Sequence, residues 1–502
     1  MSRAFLVSCA TLAFATIATA LPPEGSPGPA PSKASIARME VGEGMPISSK
    51  NTAALEAFRK GRDAAENLRV PEAQAQLRRA IELDPGFALA HAYLGNTTPG
   101  PEGVAHLERA SGLAAKASEA ERVLIQSALA GARGDGAKSQ QLALRLAELA
   151  PRDWHAQFLA GQSLLFSRQE DKGITYLQKA VALNPAAGPA HNLMGYAYLR
   201  TGRTEQGIAA FRKYAEVNAN EPNPHDSLGE ALLKAGRYEE AEQAFARALD
   251  VDRGFYYAHS GIAQARFLRG DGAGGFRALE AARDAAPGVA QKVAIDQAIA
   301  LSHAGLGNVE RALQLAAEAE RRAQGEAAPY RPQLVAMRAG LLDVAGRYGD
   351  AITASRQAIE EAEKAKLPGF MLDNVRQVAL GARIDAEARL HQPAAAEKSL
   401  QTIEELGRSD PTNSGFQSLV QFGRGSVAIA RGDAKSAAQH FARCNDQDAF
   451  CRLRRVQALQ KAGDTRGAET AREELLAANL RVPIYLLARN EVRGEVATGK
   501  SK

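Results

Sequence analysis

A chain of 502 residues is too long for one comfortable hydrophobic core. Its composition, with 6% aromatics, one Trp, abundant Ala and no β-branched runs, points to an all-helical fold. The 62 Lys and Arg against 57 Asp and Glu leave only +5. This mild excess is spread over helix faces, as in Arg321-Arg322 or Arg452 to Arg455, and no aromatic-basic platform accompanies it, which argues against a nucleic-acid partner.

In chain order, Met1-Ser2-Arg3 supplies a short positive region, Ala4 to Ile17 an apolar stretch, and Ala18-Thr19-Ala20 a small-residue cleavage pattern. This predicts a secretory signal (1–20) cleaved after Ala20, and so an exported, periplasmic chain. The competing readings are an uncleaved anchor and a lipoprotein signal ending at Cys9, the latter leaving only five residues after Arg3. Residues 21–50, rich in Pro, Gly and Ser, read as a disordered tether. No later segment approaches membrane-spanning length, so membrane contact is expected only through partners.

Beyond the tether, a Gly followed five residues later by Gly, Ala or Ser recurs along the chain. It appears as Gly134/Ser139, Gly202/Gly207, Gly236/Ala241 and Gly270/Gly275, on a 34-residue period whose intermediate position, Arg168/Gly173, lacks only the first Gly. It returns at Gly307/Ala312, Gly346/Ala351, Gly432/Ala437 and Gly463/Ala468. Each Gly is expected to close a helix in a left-handed conformation, and each small residue to sit where two helices cross closely. A 34-residue frame begun at Trp154 aligns four times. Position 8 holds Gly161, Gly195, Gly229 and Ala263; position 20 holds Gly173, Gly207, Ala241 and Gly275. Position 24 holds Leu177, Phe211, Phe245 and Leu279; position 27 holds Ala180, Tyr214, Ala248 and Ala282. Small residues opposite one large apolar knob let antiparallel helices interdigitate.

This pattern resembles the tetratricopeptide repeat family, a helix-turn-helix with small residues at positions 8, 20 and 27, a large apolar residue at 24 and a Pro near 32. Pro85, Pro151, Pro185 and Pro287 take the last position, and Gly61, Ala73, Leu77, Ala80 and Pro85 repeat the order at the front of the chain. The resemblance covers residues 52 to 480, more strongly up to Pro287, with Arg266, Ala219 and Arg253 as departures. It implies an all-α, right-handed α-solenoid of about 12 stacked helical hairpins, a TPR-like superhelix. A regular array is expected over 51–289, a less regular one with longer helices or looser loops over 290–480, and a C-terminal tail over 481–502.

The resemblance also implies a non-enzymatic protein-protein interaction scaffold, with first-helix positions 2, 5, 9, 12 and 13 lining a concave groove. These are His155, Phe158, Gln162, Phe166, Asn192, Tyr196, Arg200, Asp226, Glu230, Lys234, Tyr257, Ser260, Gln264 and Phe267. Their mixture of rings, amides and charges suits a protein or extended peptide. The Lys and Asn set that similar proteins use to clamp a C-terminal carboxylate is not reproduced: Phe158 and Asn192 hold position 5, and Gln162 and Tyr196 hold position 9. Two alternatives stand beside this reading. One is an accessory subunit of an envelope secretion, cell-wall or polysaccharide assembly machine, docking through its convex face or C-terminal half. The other is an enzyme with unrecognised chemistry in residues 290–480.

Motifs for chemistry are mostly turned aside by context. Gly494 to Ser501 matches the P-loop letters, but only Lys502 follows where a helix is needed, so no nucleotide is expected. Gly270 to Gly275 falls in phase with the other turns. His191, His225 and His259 recur at 34 residues, with His91 in the same frame position, yet successive repeats hold such side chains about 10 Å apart, too far for one metal ion. No cofactor or metal is expected. After loss of Cys9 the chain keeps Cys444 and Cys451, which read either as a disulfide or as two separate buried thiols.

Overall fold

The computed structural model describes residues 44–494, Leu68 and Thr412 excepted. The signal, its cleavage point after Ala20, residues 21–43 of the tether and nearly all of the P-loop-like run lie outside the described residues. Every regular element described is helical, twelve helical hairpins followed by one last helix. The chain divides into two compact units, one ending at Ala231 and the other beginning at Leu232.

In unit 1 the hairpins are α1 (Thr52–Glu66) with α2 (Val70–Leu83), α3 (Ala88–Thr97) with α4 (Pro101–Leu113), and α5 (Glu119–Ala132) with α6 (Gly136–Leu149). They continue with α7 (Trp154–Phe166) and α8 (Glu170–Leu183), then α9 (Gly188–Arg200) and α10 (Thr204–Val217). The division between units falls within α11 (Pro222–Lys234). Unit 2 goes on with α12 (Tyr238–Val251), α13 (Tyr256–Arg269), α14 (Gly272–Ala285), α15 (Val289–Gly305) and α16 (Val309–Arg322). There follow α17 (Arg331–Val344), α18 (Tyr348–Lys364), α19 (Gly369–Arg389), α20 (Pro393–Ser409), α21 (Ser414–Ala430) and α22 (Ala434–Phe441). The last three are α23 (Ala449–Lys461), α24 (Thr465–Ala477) and α25 (Ile484–Val492).

The turn between the two helices of a hairpin is built alike in both units. The eight signature glycines from Gly134 to Gly463 all have φ between 75° and 93°, which only Gly adopts without steric cost. Arg168 and His391 take the same place at φ 57° and 54°. Next in sequence, Asp135, Asp271, Asp433 and Asp464 cap the second helix by accepting an N–H three residues on. The Gly270 to Gly275 run is therefore a capped turn: Asp271 accepts the Gly274 N–H at 2.8 Å, and a Cβ on Gly275 would run into the Phe267 ring.

Packing follows the frame. Leu177, Phe211 and Phe245 are fully buried, and a Cβ on Gly161 or Gly195 would approach Leu177 or Phe211 to 2.8 Å or 2.6 Å. After Pro287 the helices lengthen, with 17 residues in α15, α18, α20 and α21 and 21 in α19. Pro332 opens α17 and Pro368 precedes α19, positions where a missing N–H costs no helical hydrogen bond.

Candidate peptide-binding groove

The expected groove residues fall into the two units, each with its own surroundings. In unit 1, Phe158 belongs to the core with Leu165, Leu177 and Met194, while Phe166 is 45% exposed. Tyr196 Oη donates to Glu230 at 2.8 Å and lies 3.2 Å from the Ser227 hydroxyl, so position 9 of one hairpin touches position 9 of the next. Arg200 Nε donates to Glu170 at 3.3 Å. Gln162 is half-buried and Asp226 buried. The Asn192 Oδ1 is buried without a hydrogen-bond partner among the described residues.

The end of the expected tether is part of this unit. Residues 44–50 form no regular element, and exposure alternates along them as in an extended chain: Met45, Ile47 and Ser49 turn inward, Gly44, Pro46, Ser48 and Lys50 outward. Met45 and Ile47 pack against the first helices of the front hairpins, beside Phe58 and Arg62 of α1, Leu89 and Tyr93 of α3, Leu124 of α5 and His155 of α7. A cavity of about 20 Å³ remains among these side chains.

Three carboxylates hold the segment, and each divides its oxygens in the same way. Asp153 caps α7 by accepting the Ala156 N–H at 2.9 Å on one oxygen and accepts the Met45 N–H at 2.7 Å on the other. Glu121 completes the capping box of α5 with the Ser118 N–H at 3.0 Å, and its second oxygen accepts the Ser48 N–H at 2.8 Å and the Ser48 hydroxyl at 3.1 Å. Asp84 accepts the Gly86 N–H within its own turn and the Ser49 hydroxyl at 2.6 Å. Beneath the segment, His155 lies 3.4 Å from Glu66 and 3.6 Å from Asp153. Burial disfavours the imidazolium, but the nearby Glu66 and Asp153 carboxylates outweigh it and raise the His155 pKa. Burial likewise opposes the Asp153 anion, and His155 with the Met45 and Ala156 amides holds its carboxyl well below the usual range.

Unit 2 treats its first-helix face differently. Residues 478–494, read from sequence mostly as tail, cover it and include α25. Gln264 donates to the Leu480 carbonyl at 3.0 Å, and Arg481 reaches the Tyr257 carbonyl at 2.6 Å with its guanidinium 4.8 Å from the Phe245 ring centre. Asn479 accepts from Tyr238 at 2.7 Å and donates to the Lys234 carbonyl at 3.3 Å. Tyr485, Leu486 and Leu487 are 0% exposed, and a Cβ on Gly305 would strike Leu486 at 2.6 Å. Phe267 is buried against Phe276, and Ser260 is half-buried.

The titratable groups of the irregular half mostly satisfy one another. Arg454 donates to both oxygens of Asp385, at 3.2 Å and 2.5 Å, and Arg389 donates to the same carboxylate at 3.1 Å. Burial would raise the Asp385 pKa, and the two guanidinium groups instead hold it well below the usual carboxylate range. Asp343, buried beside Asp385, is pushed well above that range first by burial and then by its neighbour's charge. The Cys444 and Cys451 sulfurs are joined, across a Cα separation of 6.3 Å. Asp448, which lies close enough to form a metal set with them, is engaged in capping α23 through the Cys451 N–H. The repeated histidines staple turns: His191 lies 3.0 Å from the Pro185 carbonyl and His225 3.2 Å from that of Ala219, six residues back in both cases.

The sequence reading missed Asp84, Glu121 and Asp153. Their signals were present only as capping patterns, Ser118-x-x-Glu121 and an Asp before Trp154, with nothing to say that a second oxygen is free.

Two family models, both described as tetratricopeptide repeat, match residues 158–223 and 222–255. No curated protein matches the chain. Among solved structures, a crystal structure of MamA is 17% identical over 32% of this chain and 93% of its own, with a TM-score of 0.30. YrrB, described as a TPR protein with an unusual peptide-binding site, is 15% identical over 43% of this chain and 95% of its own, with a TM-score of 0.29. TTC0263, a thermophilic TPR protein of Thermus thermophilus, is 18% identical over 43% of this chain and 100% of its own, with a TM-score of 0.29.

Proposed function

From a chain that carries tetratricopeptide repeats at residues 158–255, we propose a non-enzymatic scaffold that binds an extended segment of a partner protein against the first helices of unit 1. One observation carries this: the surface already holds a stretch of extended chain, residues 44–50, through backbone N–H groups and alternate side chains. Such main-chain pairing with pockets for alternate residues is a general means of peptide recognition. The exposed Phe166 and the unpartnered Asn192 oxygen extend the surface further along the unit. The Met1 to Ala20 pattern and the joined cysteines support export to an oxidising bacterial envelope, the periplasm. No described helix is long and apolar enough to cross a membrane. In residues 290–480 the buried Asp343, Asp385, Arg389 and Arg454 pair with one another, the arrangement of a structural ion network.

The test is selection of displayed random peptides on the full-length chain. Enrichment of peptides whose binding falls at least about tenfold in Phe166→Ala with Asn192→Ala is expected, a loss of about 1.4 kcal/mol. Failure to enrich any peptide, or enrichment indifferent to every substitution on the first helices of unit 1, would overturn the reading.

A further inference from the structure

The inference rests on the scaffold reading and sharpens it. We propose that residues 44–50 are a resident, displaceable occupant of the unit 1 groove, and that the incoming ligand is an extended, acid-free segment of a partner protein with donors where Ser48 and Ser49 stand.

The groove floor is an array of fixed acceptors. Asp153, Glu121 and Asp84 each commit one oxygen to a local cap or turn, which holds the carboxylate in place whether or not the segment is present. The other oxygens take two backbone N–H groups, from Met45 and Ser48, and two hydroxyls, from Ser48 and Ser49. Nothing in this set is particular to the chain's own side chains except the hydroxyls, so any extended segment presenting N–H groups three residues apart meets the same register. Pro is excluded at those two places and tolerated between them, where Pro46 stands.

Charge selects in the same direction. Gly44-Met-Pro-Ile-Ser-Ser-Lys-Asn51 contains no acid and one Lys, opposite three carboxylates. A ligand acid at the Ser48 or Ser49 position would meet the Glu121 or Asp84 carboxylate as like charge and find no hydrogen there to share, whereas the cations of the floor, Arg62 and His155, lie on the Met45 side. The apolar side is incompletely filled: Met45 and Ile47 are only half-buried, and the adjoining cavity of about 20 Å³ would admit a larger side chain or one water. A ligand with bulkier residues at these alternate positions therefore has something to gain over the resident. The resident has the advantage of attachment to α1, which gives it a high effective concentration and lowers the apparent affinity of any competitor.

The experiment uses the full-length chain and a fluorescent synthetic peptide with the sequence of residues 44–51 as the probe. Met45→Pro with Ser48→Pro removes both donated amides from the resident without touching a helix. Fluorescence anisotropy is expected to show the probe binding this variant at least about tenfold tighter than wild type. A probe carrying Asp at the two Ser positions is expected to lose that binding, and Glu121→Gln in the variant background to weaken it. Amide hydrogen exchange on the wild type supplies a readout that needs no variant: excess probe should speed exchange at Met45 and Ser48. Equal probe binding by wild type and variant, indifference to the Asp substitutions, or unchanged exchange would each overturn the proposal. So would a concentration-dependent dimer of the variant that excludes the probe, since the occupant would then be a second copy. Peptides selected by display that bind wild type and variant alike would leave the scaffold reading standing while this inference falls; the absence of any binding peptide would remove both.

Discussion

Each unit lays a stretch of its own chain along its first helices, and the two do it by different physics. In unit 1 the stretch is extended, held by backbone amides donated to carboxylates, with Met45 and Ile47 half-buried. In unit 2 it contains a helix that buries Tyr485, Leu486 and Leu487 completely. A fully buried side chain of this size contributes about 1.5–3 kcal/mol and a hydrogen bond to a charged group a similar amount, and unit 2's stretch adds three such side chains to the hydrogen bonds of Asn479, Leu480 and Arg481. The C-terminal stretch is therefore integral core, and the N-terminal one is the weaker attachment. A groove filled by a helix with apolar knobs has lost its use as an open surface; one covered by an extended segment through its backbone amides keeps a geometry that another such segment can use.

The largest effect is expected from breaking the tighter attachment. Tyr485 is fully buried, its hydroxyl donating toward the Leu475 and Leu476 carbonyls and accepting the Asn479 N–H. Tyr485→Ala should cost about 4 kcal/mol, seen as a lower midpoint in chemical denaturation; a cost below about 1 kcal/mol would make unit 2's C-terminal stretch as loose as residues 44–51. Arg454→Met should cost about 3 kcal/mol, because it leaves Asp385 buried with one cation in place of two.

A close helix crossing is the next weak point, this time in unit 1. Gly195→Ala places a Cβ 2.6 Å from the Phe211 ring and should cost about 1–3 kcal/mol by the same measurement. The pH dependence of unit 1 is smaller and has a definite sign. Because the folded pKa of His155 is raised, its contribution is complete below the ordinary imidazole value of about 6.5 and is lost as pH rises through the folded value. Thermal melts should fall on the alkaline side, and His155→Gln should flatten that slope. Smallest is Arg168→Gly, which relieves a left-handed backbone at φ 57° and should stabilise by less than about 1 kcal/mol.

Much of the fold could be read in advance because it is local. The signature glycines and the small residues facing Leu177 and Phe211 interact within one hairpin, so the 34-residue period exposes them; the Asp caps that follow some of the glycines keep no such period. The groove was legible only in part. Tyr196 and Glu230 do meet, one period apart. Phe158 and Phe267 went to the core, since a ring at a first-helix position buries itself wherever the neighbouring helix leaves room. The composition of residues 21–50 spoke for a tether, yet its last seven residues are ordered by partners far along the chain.

By itself the sequence determined the repeating hairpin and its turns, and a change of cadence after Pro287 that longer helices or looser loops could meet, because each depends on backbone preferences and on neighbours a few residues away. Only the tertiary structure decided what lies against the first helices. The bonds that do so join residues 108, 73, 216 and 224 positions apart, from Met45 to Asp153, Ser48 to Glu121, Gln264 to Leu480 and Arg481 to Tyr257. Contacts of that range obey no period. In unit 1 they exist because stacking the hairpins turns Asp84, Glu121 and Asp153 of separate repeats, each with a spare oxygen, toward residues 44–50.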